Sequence, residues 1–133
     1  MYLFDTDTLS NLLAKHSSAQ LLERLHETPA AMQFTSSITV GEIYYGLHKS
    51  NRPGCYRERL ERLVWPHVQI VASDRVAAKI YGELRAELER KGERLSDPDL
   101  MIAPIGLSRN LVVVTGNIKH FGRIENLKVE NWL

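Results

Sequence analysis

The sequence predicts an α/β fold, a central parallel sheet of about five strands with helices packed against it. Three observations lead there. Short apolar, β-branched runs recur along the whole chain, segments of helical periodicity fill most of the gaps between them, and no Gly- or Pro-rich stretch is long enough to link two domains. The punctuation at Thr28-Pro29, Asn51–Gly54 and Lys91-Gly92 marks loops. A chain of 133 residues is of ordinary single-domain length, so residues 1–133 are expected to form one domain around one core. A hydrophobic content of 44% with 25% charged residues excludes a long disordered tail.

The first strand is expected at Tyr2–Phe4 and is closed by Asp5. A second lies at Gln33–Ser36 and leads into a helix from about Thr39, with Val40, Ile43, Tyr44 and Leu47 on one apolar stripe. The third strand is expected at Val68–Val71. The clearest helix follows, because Ala77, Ile80, Tyr81, Leu84 and Leu88 recur at i, i+3, i+4 spacing, Glu87 stands four residues before Lys91, and Gly92 supplies a stop signal. Another helix is expected to open after Asp97 as its cap, with Pro98 in the first helical position. Its Leu100–Leu107 stretch is apolar on every face, which predicts passage through the interior. Strands at Leu111–Val114 and Lys128–Asn131 complete the pattern. Such alternation implies parallel crossovers, with ligands bound beyond the carboxyl ends of the strands, where Asp5 and Thr115-Gly116-Asn117 lie.

Lys and Arg number 17 against 16 Asp and Glu, a net charge of +1, so the overall field neither demands nor excludes a nucleic-acid partner. The densest basic cluster, Arg52, Arg57, Arg59 and Arg62, is diluted by Glu58 and Glu61; it reads either as a solvated helix face or as a contact for an RNA backbone. The single Cys55 has no partner for an internal disulfide, which fits a reducing cytoplasm, and neither a secretory leader nor a membrane span is expected.

Three acids occupy places where burial is costly: Asp5 at the end of the first strand, Glu42 within an apolar helix, and Asp99 at the start of the all-apolar helix. Four of the chain's acids in these segments also have an ordinary reading. Asp5 suits a turn, Glu42 a solvated helix face, Asp97 a helix cap, and Asp7 a cap for the turn over Thr8–Leu13. If the three converge, a cation must offset their repulsion, and an oxygen-rich site without sulfur or histidine suits Mg²⁺ or Mn²⁺. Hydrolysis of a phosphodiester is the chemistry such a site supports. His16, His26, His48 and His67 are scattered and read as surface or packing residues, and no Gly-rich phosphate loop is present. Tyr44, Tyr45 and Trp65 read as core or dimer-contact residues ahead of base-stacking platforms.

The segments Tyr2–Thr6, Ser37–Gly46, Asp99–Ala103, Val113–Asn117 and Val129–Trp132 share order and spacing with one family across nearly the full chain. Together they resemble the PIN-domain family in its VapC-type toxin branch. The resemblance implies a three-layer α/β/α architecture around the parallel sheet. It implies Asp5, Glu42 and Asp99 as metal-binding acids, Asn117 as a further catalytic residue, and Thr6, Asp7, Asp97 and Thr115 in support. It also implies Mg²⁺- or Mn²⁺-dependent cleavage of RNA, inhibition by a small cognate antitoxin, a homodimer, and a larger assembly with that antitoxin. Asn117 stands where many such domains carry a fourth acid, and His120 where others have Asp, which implies a weakly held second ion. Pro104 replaces an Ala and is expected to kink its helix a turn beyond Asp99. Asp7 replaces an expected Asn and adds negative charge.

Two other functions compete. Leu3–Leu9 also resembles the aspartate opening of haloacid-dehalogenase-type phosphatases, in which Asp5 would be a covalent nucleophile, but no acid pair follows Lys119 or Lys128 in the short remainder of the chain. A non-catalytic interaction protein on the same fold is the second alternative, against which the three intact acids argue.

Overall fold

The computed structural model describes residues 1–133. Five parallel strands form one sheet: β1 (Tyr2–Phe4), β2 (Gln33–Ser36), β3 (Gln69–Val71), β4 (Val112–Val114) and β5 (Val129–Glu130). Their order across the sheet is β3-β2-β1-β4-β5. The chain therefore winds outward in one direction as far as β3 and then returns to pair β4 with the other side of β1. That reversal makes the carboxyl ends of β1 and β4 a switch point, the place where open α/β sheets bind ligands.

Side-chain alternation along the central strands sorts the core into two layers. Leu3 and Val113 point to one face, where they pack with Ala77, Leu84 and Leu88 of α5 (Arg75–Arg90) and Leu100, Ile102 and Ile105 of α6 (Asp97–Arg109). Phe4 and Val114 point to the other face. They meet Leu9 and Leu13 of α1 (Thr6–Leu13), Leu21 of α2 (Ala19–Glu27), Ile43 and Leu47 of α3 (Ser37–Lys49), and Trp132. Burying a large apolar side chain contributes about 1.5–3 kcal/mol, so both layers stabilise the sheet that carries the strand ends. Helix α4 (Pro53–Arg59) runs on into a wider π-helical turn over Leu60–Val64, and a short α7 (Ile118–Phe121) follows β4.

The expected strands all form, with β3, β4 and β5 shorter at their ends than the sequence suggested. Helix α5 forms with Ala77, Leu84 and Leu88 buried, Gly92 adopts φ +70° just beyond it, and Glu87 pairs with Lys91 at 3.1 Å. Two expectations for α3 are corrected. Its buried stripe is Thr39, Ile43 and Leu47, while Tyr44 is exposed and stacks on the half-buried Trp65. Tyr45 is exposed too, so neither tyrosine belongs to the core. The cap of α6 is Ser96, whose Oγ accepts from the Asp99 amide at 3.3 Å, and Asp97 is the first helical residue. Asp97 and Ser96 are both good capping types; the hydroxyl lies one position earlier and takes the donor.

Helix α6 is the interior helix that its composition predicts, with Leu100 and residues 102–106 buried and, within the apolar Leu100–Leu107 run, only Met101 exposed. It remains one helix across Pro104, which removes the donor for the Leu100 carbonyl. At Gly106 an added Cβ would lie 3.0 Å from Val113 and 3.2 Å from Leu127, so this glycine lets α6 lie close against β4.

Candidate active site

Asp5 follows β1 directly and is also the N-cap of α1, its Oδ1 accepting from the Thr8 amide at 2.9 Å. The turn and cap reading of Asp5 is thus correct, and it does not compete with a role in the site. Asp7, expected as a cap, lies instead in the first turn of α1 and is exposed. The Thr8 hydroxyl donates to the Val114 carbonyl at 2.7 Å, tying the start of α1 to the end of β4. Thr115, fully buried just after β4, hydrogen-bonds the Asp5 carboxyl and accepts from the Asn117 amide at 2.9 Å. Asp5 is itself only 3% exposed. Burial raises its pKa from 3.8 to about 6, against the lowering effect of the hydrogen bonds from Thr115 and Thr8; the nearby Asp7 charge adds to the rise.

Glu42 reaches the same place from α3. It is half-buried, and one carboxylate oxygen accepts a hydrogen bond from the Thr6 hydroxyl at the start of α1. It is therefore not the freely solvated helix residue its position opposite the apolar stripe allowed. Asp99 arrives from the first turn of α6, its side chain 16% exposed. Burial raises its pKa as well, opposed by the Ser96 hydrogen bond and by His120.

Asn117 caps α7 in sequence but makes no side-chain capping bond. Its amide nitrogen lies 2.6 Å from His120 Nδ1, and the same ring nitrogen is 3.7 Å from Asp99 Oδ2. Nδ1 serves one neighbour at a time: without a proton it accepts from the Asn117 side-chain amide, and with a proton it is a donor toward Asp99.

Asp5, Thr6, Asp7, Glu42, Asp99 and Asn117, with Ser96 and His120, line one cleft of about 250 Å³ that contains no hydrophobic side chain. The structure thus brings together all but two of the residues singled out in the sequence. Asp97 is exposed and lines a different groove with Arg85, Glu89 and Arg94, so it is no part of this cleft. Thr115 stands behind Asp5, not on the cleft wall. His120 corrects the expectation of a histidine-free site. The four other histidines are on the surface. The family resemblance marks His120 as a place where other such domains carry Asp, and its three-residue spacing from Asn117 sets the pair side by side on one helical turn.

The donor set is chiefly carboxylate, amide and hydroxyl oxygen, with the single imidazole of His120, which suits a hard divalent cation. No three acid, imidazole or thiol groups already converge to ligand distance. Asp5 is fixed at a strand end, whereas Glu42 and Asp99 are carried on helices at the cleft wall, so binding would draw the latter two inward.

A family model described as the PIN domain matches residues 2–127. The chain belongs to the PIN-domain family. Within it the chain falls in the VapC-type branch. It is 34% identical over 134 residues to a Rickettsia felis protein named ribonuclease VapC2, spanning 99% of this chain and 98% of the relative. It is 35% identical over 131 residues to the tRNA(fMet)-specific endonuclease VapC of Salmonella typhimurium, spanning 98% and 97%. The crystal structure of Rickettsia felis VapBC2 bound to a DNA fragment from its promoter matches this fold with a TM-score of 0.91, at 33% identity over 99% of this chain and 98% of the other. PIN domains are nucleases that depend on a divalent cation, and the acidic, oxygen-rich wall of this PIN cleft accords with that requirement.

Proposed function

We propose that this PIN domain is an endoribonuclease, the toxin of a toxin–antitoxin pair, and that it works with Mg²⁺ or Mn²⁺. The observation that carries the reading is the joining of Asp5, Glu42 and Asp99, far apart in sequence, in one wholly polar cleft at the switch point of the sheet. Asp5, Glu42 and Asp99 would hold the cation, with the Asn117 carbonyl oxygen as a weaker neutral donor. A divalent ion in such a site lowers the pKa of water and offsets the charge that builds up on a phosphate under attack. The protein's own part is positional. Thr8 and Thr115 hold the Asp5 carboxyl, Thr6 orients Glu42, and His120 stands where it can take or give a proton beside Asp99 and Asn117.

The phosphatase alternative needs Asp5 as a free nucleophile. A carboxyl that is 3% exposed and engaged by two hydrogen-bond donors suits a fixed ligand better than an attacking group. A groove lined by Leu13, Ile43, Leu47 and Leu60 shares Glu42 with the cleft, and its apolar floor beside the acids suits a segment of the antitoxin. A homodimer is part of the same proposal. No helix is long and apolar enough to cross a membrane.

The test is cleavage of an RNA pool that includes tRNA(fMet), with chelator and with Mg²⁺ or Mn²⁺ restored, by wild type and Asp5→Asn. Cleavage by wild type only, and only with metal, is expected. Full cleavage in chelator refutes the mechanism.

A further inference from the structure

Beyond the acidic cleft, the apolar groove continues along α1 and α3 and opens, through shared Ser50 and Tyr56, into a second groove of about 490 Å³. The walls of this second groove carry Lys15, Arg52 and Arg59 and no carboxylate. None of the three takes part in an ion pair, whereas Arg62 farther along the same stretch of helix is matched by Glu58. Arg59 is also pre-positioned: its Nη1 donates to the Leu13 carbonyl at 2.6 Å, fixing the guanidinium and leaving its other donors available. Lys49, next to the shared Ser50, lines the apolar groove. In a chain of net charge +1, this is a local concentration of unpaired cations. From Glu42 to Ser50 the distance along α3 is roughly 12 Å at ~1.5 Å per residue, so the basic groove lies a few nucleotides from the acids.

We infer that the Lys15/Arg52/Arg59 groove is a binding site for the phosphate backbone of the RNA substrate, distinct from the acidic cleft and continuing its path. The inference rests on the ribonuclease reading above and adds where the flanking strand is held. Carboxylates alone repel an approaching polyanion. A nearby run of unpaired cations supplies attraction without approaching the acids closely enough to neutralise them. Binding of this kind is indifferent to base sequence and shows itself in its dependence on salt.

The experiment compares wild type, Lys15→Ala/Arg52→Ala, and a charge-matched control, Lys79→Ala/Arg90→Ala on exposed positions of α5. Binding of a mixed-sequence RNA of ~20 nucleotides, longer than a single-strand site of ~4–16 nucleotides, is measured by anisotropy across a salt series. Cleavage of the same RNA and of a ~4-nucleotide RNA is measured with Mn²⁺. The groove variant is expected to bind the long RNA more weakly, with a salt slope shallower by roughly 1.4, about 0.7 for each phosphate that is no longer neutralised. Its KM for the long substrate should rise while kcat stays at the wild-type level, and cleavage of the short substrate should be unchanged.

Equal affinity and slope in the groove variant, with wild type cleaving RNA normally, overturns the inference and leaves the ribonuclease reading standing. The same loss of affinity in the α5 control also overturns it, because bulk charge would then be the cause. Unchanged RNA binding with weakened binding of a co-expressed antitoxin assigns the groove to protein docking instead, again against the inference. Failure of the wild type to cleave any RNA with Mg²⁺ or Mn²⁺ removes both readings together.

Discussion

Asp5 and Thr115 stand at the carboxyl ends of the adjacent strands β1 and β4, whereas Glu42 and Asp99 approach the same cleft from helices α3 and α6. On the strand side the polar groups are closely tied: the Thr8 amide binds Asp5 Oδ1, Thr115 holds the Asp5 pKa down from behind, and the Thr8 hydroxyl locks α1 to β4. On the helix side the acids are more open. Glu42 has one hydrogen bond from Thr6, and Asp99 faces a partly exposed imidazole. The contrast separates an anchor from two adjustable arms. A carboxylate built into a strand end is rigid and costly to ionise, and carboxylates on helix surfaces can move toward an ion at little cost in packing.

The largest expected effect comes from the anchor. Asp5→Asn should reduce RNA cleavage by on the order of 10³-fold, at the upper end of what loss of one fixed electrostatic partner does, while the amide oxygen keeps the cap on Thr8. Stability should move the other way. The Asp5 pKa is raised in the folded protein, from 3.8 to about 6. Between those pH values the folded state holds more protons than the unfolded state, so stability falls as pH rises through the window and stays low above it. Removing the charge should therefore stabilise the metal-free protein at pH 7 by up to about 3 kcal/mol, at ~1.4 kcal/mol per pH unit. Below pH 4 the gain should vanish. Denaturant unfolding at the two pH values checks both statements; a destabilised variant at pH 7 contradicts them.

The arms should be separable from the anchor in the same assay. Glu42→Gln and Asp99→Asn are expected to lower cleavage by roughly 10²-fold each, with no stability gain at pH 7 for Glu42→Gln. If Glu42→Gln stabilises as much as Asp5→Asn, the division into anchor and arms is wrong.

Smaller effects belong to the neutral donors. Asn117→Ala should cost about 10- to 100-fold in cleavage, and Asn117→Asp should tighten binding of a second divalent ion in the absence of RNA. Calorimetric titration decides this, and two equally tight ions in the wild type would show that Asp7 or another group supplies the charge. Thr115→Val should have the least effect on peak rate, within about tenfold. It removes a hydrogen bond that holds the Asp5 pKa down, so the acid limb of the rate profile should shift to higher pH. An unmoved limb would mean that this bond does not act on Asp5.

Much of this plan was legible in the residues because the signals are local. The 3.6-residue stripe of α5, the all-apolar run of α6 and the short β-branched runs each reflect burial that a window of a few residues records. The site was legible through a shared motif pattern; spacing alone left Asp5, Glu42, Asp7 and Asp97 each with an ordinary explanation. What escaped was non-local or finely balanced. The bond from Thr6 to Glu42 joins residues 36 apart in sequence. The choice of Ser96 over Asp97 as cap turned on one residue between two suitable side chains. The helix over Thr6–Leu13 was read as no more than a turn, because the strand residue Asp5 also serves as its cap. His120 was marked only as standing where relatives carry Asp; its pairing with Asp99 and Asn117 was not legible because Asp99 lies on a different element that meets it only in the fold.

The most direct measurement of the central claim is Mn²⁺ binding followed by electron paramagnetic resonance on the wild type, Asp5→Asn and Glu42→Gln at pH 7.5 and pH 5. The wild type at pH 7.5 is expected to hold one ion tightly and to release it as pH falls below about 6, where Asp5 takes up a proton. Nearly all binding should disappear in Asp5→Asn but only part of it in Glu42→Gln. Wild-type Mn²⁺ affinity in Asp5→Asn would contradict the account, because the ion would then sit somewhere other than the strand-end carboxylate on which the site is built.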